Sequence, residues 1–181
     1  MQIYVVVFLA VLCLGGCSHT TTNPSVWRAR DVAFSSYQML EILPLFNTTG
    51  QPIAKELLEY YNEQLEKELA ERNLVTSSSA QNTINGILLV QSSVVRYDTN
   101  KAVPLYDISY IVNSLSRNSF AVLNTLLIDK NTTREVANIT TATTSGAVGS
   151  LLNDASKRFF HEIAEATAVE IAKVMAPEDT Q

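Results

Sequence analysis

The side chains able to do covalent or metal chemistry are few: two cysteines, Cys13 and Cys17, and two histidines, His19 and His161. Cys17 follows Leu14-Gly15-Gly16 at the end of an apolar run over residues 3–14. The two glycines suit a protease subsite, and a thiol just past such a cleavage point can accept a lipid. His161 stands in His161-Glu162-Ile163-Ala164-Glu165, which has the spacing of a helical zinc-protease motif but carries Glu165 where a second histidine is needed. One histidine cannot build that centre, so His161 is expected on a solvated helix face, paired with Glu165 one turn on. Gly146-Ala147-Val148-Gly149-Ser150 lacks the Lys of a phosphate-binding loop and reads as a joint with Ser150 as a helix cap. A Ser/His/Asp arrangement would have to use His161 or His19, and no strand-to-helix serine turn accompanies either. No catalytic residue, metal or cofactor is therefore expected.

Composition bounds the class of the chain and its partners. The chain has 181 residues, 46% hydrophobic and 17% charged, with 6 Gly and 5 Pro, which suits one globular domain and excludes collagen-like or disordered classes. Its 13 basic and 18 acidic residues leave a net charge of -5, with no reserve of cations for gripping a polyanion. Nucleic acid is not an expected partner.

A spanning helix needs about 20 apolar residues, so the run over 3–14 is too short for a permanent span and suits a cleaved export signal. With Leu14-Gly15-Gly16-Cys17 it resembles the bacterial lipoprotein signal, although no Lys or Arg precedes Cys17. That resemblance implies a signal peptide over 1–16 and a mature amino terminus at Cys17 carrying diacylglycerol and palmitate. Ser18, in place of Asp, implies an outer-membrane lipoprotein facing the periplasm. Cys13 would leave with the signal, so no internal disulfide is expected. Residues 17–30 read as the lipidated cysteine and a polar tether, 31–176 as the domain and 177–181 as a tail. Trp27, the only tryptophan, is expected to cover the edge of the core, or with Arg28 and Arg30 to touch the membrane interface.

Within the domain, residues 37–46 are apolar on both faces apart from Glu41 and predict a central strand. After Pro52 a helix is expected to about Arg72, with Ala54, Leu57, Leu58, Tyr61, Leu65 and Leu69 inward. Leu74-Val75-Thr76 reads as a short strand, 84–97 and 120–128 as longer ones. The turn Asp129-Lys130-Asn131-Thr132 then returns the chain over 134–143 as a polar edge strand. A last helix over 151–175 places Phe159, Ile163, Ile171 and Val174 inward, and Pro177 ends it. This order implies an α+β fold, an α/β two-layer sandwich in which a mixed sheet is covered by two long helices.

Glu41-Ile42-Leu43-Pro44-Leu45-Phe46-Asn47-Thr48-Thr49-Gly50, followed by the helix with Leu65 and Leu69, resembles the opening of TolB amino-terminal-like domains. Such domains occur in LpoB activators, in CsgG and in envelope lipoprotein families. Leu127-Ile128-Asp129-Lys130-Asn131-Thr132-Thr133-Arg134-Glu135-Val136 is similar to a hairpin of that group, and the resemblance spans 37–174. Thr133 stands where that hairpin carries Gly, and β-branched residues suit positive φ poorly. Asn131 is accordingly expected in the left-handed position, or the turn to be longer.

The resemblance implies a non-catalytic, lipid-anchored periplasmic adaptor that binds an envelope protein of wall synthesis, secretion or surface assembly. The alternative is an auxiliary lipoprotein of an ABC-type exporter or lipid-transport system. Between the long strands, Ala102, Val103, Leu105, Tyr106, Ile108, Tyr110, Ile111 and Val112 make an unusually apolar connection. It either packs back as an extra strand or docks a partner through Leu105, Tyr106 and Tyr110. For the anchor, a Cys17→Ser protein is expected to lose all palmitate label and to leave the outer-membrane fraction. Retained label would place the lipid elsewhere.

Overall fold

Strict alternation of buried and half-buried residues over Leu88, Val90, Ser92 and Val94, and again over Ala121, Leu123, Thr125 and Leu127, makes one face of each segment core and the other face something else. The computed structural model, which describes residues 20–74, 86–98, 118–146 and 153–176, turns these segments into adjacent strands. The strands are β1 (Thr20–Arg28), β2 (Met39–Ile42), β3 (Phe46–Asn47), β4 (Ile87–Asp98), β5 (Asn118–Asp129) and β6 (Glu135–Gly146). The helices are α1 (Lys55–Glu71) and α2 (Asn153–Met175). The sheet runs β1-β6-β5-β4-β2, with β3 also on β4; β2 and β3 are parallel to β4 and the other neighbours are antiparallel. This is the expected α+β class: a mixed sheet of six strands with two helices packed on it.

Three expectations need correction. Residues 37–46 are not a central strand: they form β2 and β3, both flanking β4, and among the described residues the sheet ends there. Pro44, which has no N–H to give a ladder, falls in the gap between them. The returning strand is not an edge either, because β6 lies between β5 and β1. The stretch read as a tether becomes a strand from Thr20, paired with β6 from Thr20↔Ser145 to Arg28↔Ala137. Its Thr-Thr-Thr opening has no apolar period, so the pairing is carried by backbone hydrogen bonds and β-branched geometry that hydrophobic patterning does not register. Pro24 is tolerated because, among the described residues, β1 has a partner on one side only.

Both helices cover the same face. Tyr61, Leu65 and Leu69 of α1 and Phe159, Phe160, Ile163, Ala164, Ala168, Ile171 and Val174 of α2 are buried there against Leu88, Val90, Leu123, Leu127 and Ile139. Ala54, expected inward, precedes the helix and is exposed. Within this apolar layer runs a set of hydroxyls: Tyr61 with Ser92 (3.3 Å), Ser92 with Thr125 (2.9 Å) and Thr141 with Thr167 (3.3 Å). They satisfy one another where water does not reach.

At the β5–β6 turn, Thr133 itself takes the left-handed conformation, with φ 55°. The position costs a β-branched residue about 1–2 kcal/mol. It is held by Thr133 N–H donating to the Asp129 carbonyl (2.8 Å), Asp129 N–H to the Arg134 carbonyl (2.9 Å), and Asn131 and Thr132 N–H to Asp129 Oδ1 (2.8 and 3.1 Å). Val136 forms a bulge, since Leu127 pairs with Ala137 but Ile128 with Glu135. Gly86, with φ 91°, enters β4 so close to the 3-10 turn at Phe34–Ser36 that any Cβ would fall on the Ser36 carbonyl oxygen.

Because β1 closes the outer side of β6, a protein beginning at residue 31 should fold poorly. Compared with one beginning at Thr20, its loss is expected to be about 3 kcal/mol or more, roughly 6–12 °C in melting temperature for a chain of this size, with aggregation through the bared β6 edge. Equal thermal melts of the two proteins would show that β1 is dispensable.

Candidate functional site

The strand alternation that buries one face leaves the other open. On it the register forms rows: Leu89 beside Ile128; Gln91, Leu126, Asn138 and Trp27; Phe46, Ser93, Asn124, Thr140 and Ser25; Arg96, Val122 and Ala142; and Asp98, Phe120 and Thr144. Leu89, Ile128, Leu126, Val122 and Phe120 are half-buried, and no helix packs on this side among the described residues. The rows therefore make a face of aliphatic and aromatic side chains interleaved with amides and hydroxyls, with the charged Arg96 and Asp98 toward one end.

Its two margins carry exposed aromatics. Phe46 on β3 is 48% exposed, and Trp27 on β1 is 53% exposed. Trp27 thus does not cover the core, because its register partner Asn138 belongs to the open face and not to the helix face. It stands in a shallow groove of about 420 Å³ lined also by Ser25, Val26, Glu135, Asn138 and Thr140. Near the other end of β5, the Arg96 guanidinium lies over the Phe120 ring at 5.1 Å and pairs with Asp98 at 2.8 Å.

The two ends of the sheet differ. Thr20, Gly146, Asn118 and Asp98 lie at one end, here called the proximal end. Residues 99–117 join Asp98 to Asn118, so the expected docking residues Leu105, Tyr106 and Tyr110 leave from and return to that end; they, like Cys17, fall outside the described residues. The distal end holds the β5–β6 turn. There Tyr37 donates its hydroxyl to Asp129 Oδ2 (2.8 Å), Arg134 grips Asp31 with two bonds (2.7 and 2.8 Å) and Lys130 reaches Glu41 (2.5 Å). Burial, then the Asp129 bond, pushes the Tyr37 phenol up to about 12. For Asp129 burial acts upward, but it is outweighed by the bonds from Thr132, Tyr37 and Asn131, which hold the carboxyl below its ordinary value.

His161 is half-buried between the helices, with Nδ1 bonded to Gln64 Oε1 at 3.0 Å, so its partner is on α1 and not Glu165. Among the described residues no group of His, Cys, Asp and Glu has the arrangement of a metal site, and no helix is long and apolar enough to cross a membrane. The residues of the open face lie in the strand-like stretches read over 84–97 and 120–128, but which of them share one uncovered face depends on strand register and helix placement, which apolar runs do not give.

Neither a protein-family model nor a curated protein matches the sequence. Solved structures with a similar chain course include a PelC dodecamer from Paraburkholderia phytofirmans, at 13% identity over 80% of this chain and 96% of that one, TM-score 0.49. The lipoprotein GNA1162 of Neisseria meningitidis is 10% identical over 75% and 99% of the chains, TM-score 0.45. Protein XCC0632 of Xanthomonas campestris is 12% identical over 82% and 90%, TM-score 0.45. The neighbours thus include lipoproteins, and the likeness is one of fold.

The distal cluster gives a pH signature. Since the folded Asp129 pKa is depressed, its contribution is present above the unfolded value of about 4 and fades as pH falls through the folded one. Tyr37 acts at the other extreme: its raised pKa contributes fully below about pH 10 and is lost as pH climbs through about 12. Urea midpoints are expected to place Asp129→Asn below wild type at pH 7, with the gap narrowing toward pH 3. A gap that stays constant would remove Asp129 from the titration.

Proposed function

We propose that this chain is a non-catalytic, lipid-anchored adaptor of the bacterial outer membrane, facing the periplasm and binding an envelope protein through the open face of its sheet. The observation that carries this reading is the face itself. A sheet whose second side keeps Leu89, Val122, Leu126 and Ile128 only half-buried, with Phe46 standing out at its margin, has apolar area rimmed by amides and hydroxyls, the composition of a non-obligate interface. The resemblance of Leu14-Gly15-Gly16-Cys17 to a lipoprotein signal supports the location and the lipid, and the two or three acyl chains on such a cysteine would make anchoring effectively permanent. The TolB-like opening motif supports an assembly role in wall synthesis, secretion or surface assembly. The non-catalytic reading rests on the residues: His161 is committed to Gln64, and the open face offers no nucleophile with a base beside it.

Charges placed on the open face leave the helix-covered core untouched. Phe46→Glu combined with Leu126→Glu is expected to preserve the cooperative melt within a few degrees. It should reduce co-purification of the envelope partner from detergent-solubilised membranes by tenfold or more, while Leu105→Ser, Tyr106→Ser and Tyr110→Ser together reduce it less. Undiminished capture by a folded double variant would move the docking surface off the sheet; capture lost only in the triple variant would move it to the 99–117 connection.

A further inference from the structure

Cations and aromatic rings are paired repeatedly in this chain. The Arg28 guanidinium lies 4.5 Å from the centre of the Phe34 ring, that of Arg96 5.1 Å from Phe120, and the Lys157 ammonium 5.8 Å from Tyr60. On the open face the Arg96 set is complete. Asp98, the cross-strand partner of Phe120, accepts a bond from Arg96 Nε at 2.8 Å, so ring, guanidinium and carboxylate hold one another. One margin of the same face carries these parts with the cation missing. Trp27, whose indole attracts a cation more strongly than the other aromatic rings, is 53% exposed, and Glu135 lines the same groove. Among the described residues no cation lies over the Trp27 ring and none pairs with Glu135.

The charges around this margin are equal in number, and what distinguishes the groove is which of them are already committed. Arg134 grips Asp31 with two bonds, Lys130 reaches Glu41, and Arg28 lies over Phe34, a core residue. Arg30 stands past the end of β1 and does not line the groove. Of the carboxylates, Asp31 and Glu41 are taken by those cations and Asp129 by Tyr37 and the N–H groups of the turn, which leaves Glu135. The other polar groups in the groove can accept hydrogen bonds. Asn138, opposite Trp27 in the register, has a carbonyl oxygen, and Ser25 and Thr140 have hydroxyl lone pairs; Thr140 turns its proton to Asn124 Oδ1 at 3.5 Å. A guanidinium has donors only, stacks on an aromatic face and meets a carboxylate with two parallel bonds. A quaternary ammonium makes no such bonds and is held by a cage of several rings, which a lone indole does not form.

We propose that the Trp27 groove seats an arginine side chain of the envelope partner, its guanidinium stacked on the indole and bonded to Glu135. The inference rests on docking through the open face and names the chemistry of the partner at one margin of that face. The two margins then act differently. Where Arg96 lies on Phe120 beside Asp98, the chain has closed the set itself and meets a partner as a finished surface. At Trp27 the cation comes from outside, and a ring contact and a charge pair that are each modest at an exposed position act on one group together. Trp and Arg are the residues that most often carry the binding energy of an interface.

Because Trp27 is the only tryptophan, its emission reports occupancy of the groove directly. The full chain in detergent is titrated with an acetylated, amidated Gly-Gly-Arg-Gly-Gly peptide and with the same peptide carrying citrulline, which keeps the shape of arginine and removes its charge. Broadening of the peptide's proton signals gives the same affinity in variants that lack the indole. The arginine peptide is expected to give a saturable change in the millimolar range, and the citrulline peptide to bind about fivefold more weakly or less. Trp27→Leu and Glu135→Gln, both at exposed positions, should melt with wild type and each weaken the arginine peptide by a similar factor. Raising salt from about 50 to about 500 mM should weaken it as well. Equal binding of the two peptides, binding unchanged by Glu135→Gln, or no saturable change at all would overturn the proposal. A shift of Trp27 emission by cellopentaose but not by the arginine peptide would make the indole a saccharide platform instead. A several-fold gain on Arg30→Gln would show that the chain fills the place with its own cation. Failure of the open-face reading is seen separately, in undiminished capture by the Phe46→Glu and Leu126→Glu double variant, and does not alter the peptide result.

Discussion

A tyrosine hydroxyl sealed beneath two helices must find hydrogen-bond partners inside the protein, and much of this fold follows from where Tyr61 finds them. Tyr61 is fully buried, and its hydroxyl meets Ser92 on β4, which in turn holds Thr125 on β5. Burial drives the Tyr61 phenol upward and keeps it neutral, and the hydroxyls of Ser92, Thr167 and Thr125 act in the opposite sense. A buried donor without a partner costs about 1–3 kcal/mol, so sliding α1 by one turn or β4 by one residue would be penalised at this point as well as through lost packing. The neighbouring apolar contacts are less selective, since Leu, Ile and Val exchange partners cheaply. The contact between α1 and α2 adds a second such check, where Gln64 meets His161 and Lys157 lies over the Tyr60 ring.

That dependence explains which parts of the fold were legible in the sequence. The helices announced themselves because one face of each is apolar at 3.6-residue spacing, and Tyr61, Leu65 and Leu69 are buried where the spacing puts them. Three long strands were legible as strand-like runs bounded by turn residues. Strand order was not, because the property that makes β6 look like an edge, its run of Thr and Ala, is also what an interior strand can carry when its polar atoms are paired: Thr141 bonds Thr167 and Thr143 bonds Thr22. β1 was illegible for the complementary reason. Its exposed residues Asn23, Pro24 and Ser25 are those of a linker, and what makes them a strand is the unpaired ladder that β6 offers.

The candidate site divides along the same line. The proposed lipid site at Cys17 can be read from one dimension, because a cleavage signal and an acceptor thiol are local features. The open face cannot, since it exists only once β4, β5 and β6 are placed side by side and both helices are assigned to a single face. Trp27 shows the difference sharply. As a lone aromatic beside two arginines it suggested core or membrane, whereas its pairing with Asn138 puts it on the uncovered side of the sheet. Thr133 is the opposite case: the local rule against a β-branched residue at positive φ was sound, and the hydrogen bonds converging on Asp129 override it.

One-sided coverage has a consequence for the proposed function. Among the described residues two helices cover one face of a six-stranded sheet, and the other face keeps apolar side chains half-buried beside amides and hydroxyls. β1 begins three residues past Cys17. If, as proposed, that cysteine carries the lipid, a domain on so short a tether has less freedom to tumble than one on a long linker, and a partner meeting the open face would cost less orientational entropy to bind. On that proposal the short tether is part of the binding device, and a longer one is expected to weaken partner binding even with every contact on the sheet intact.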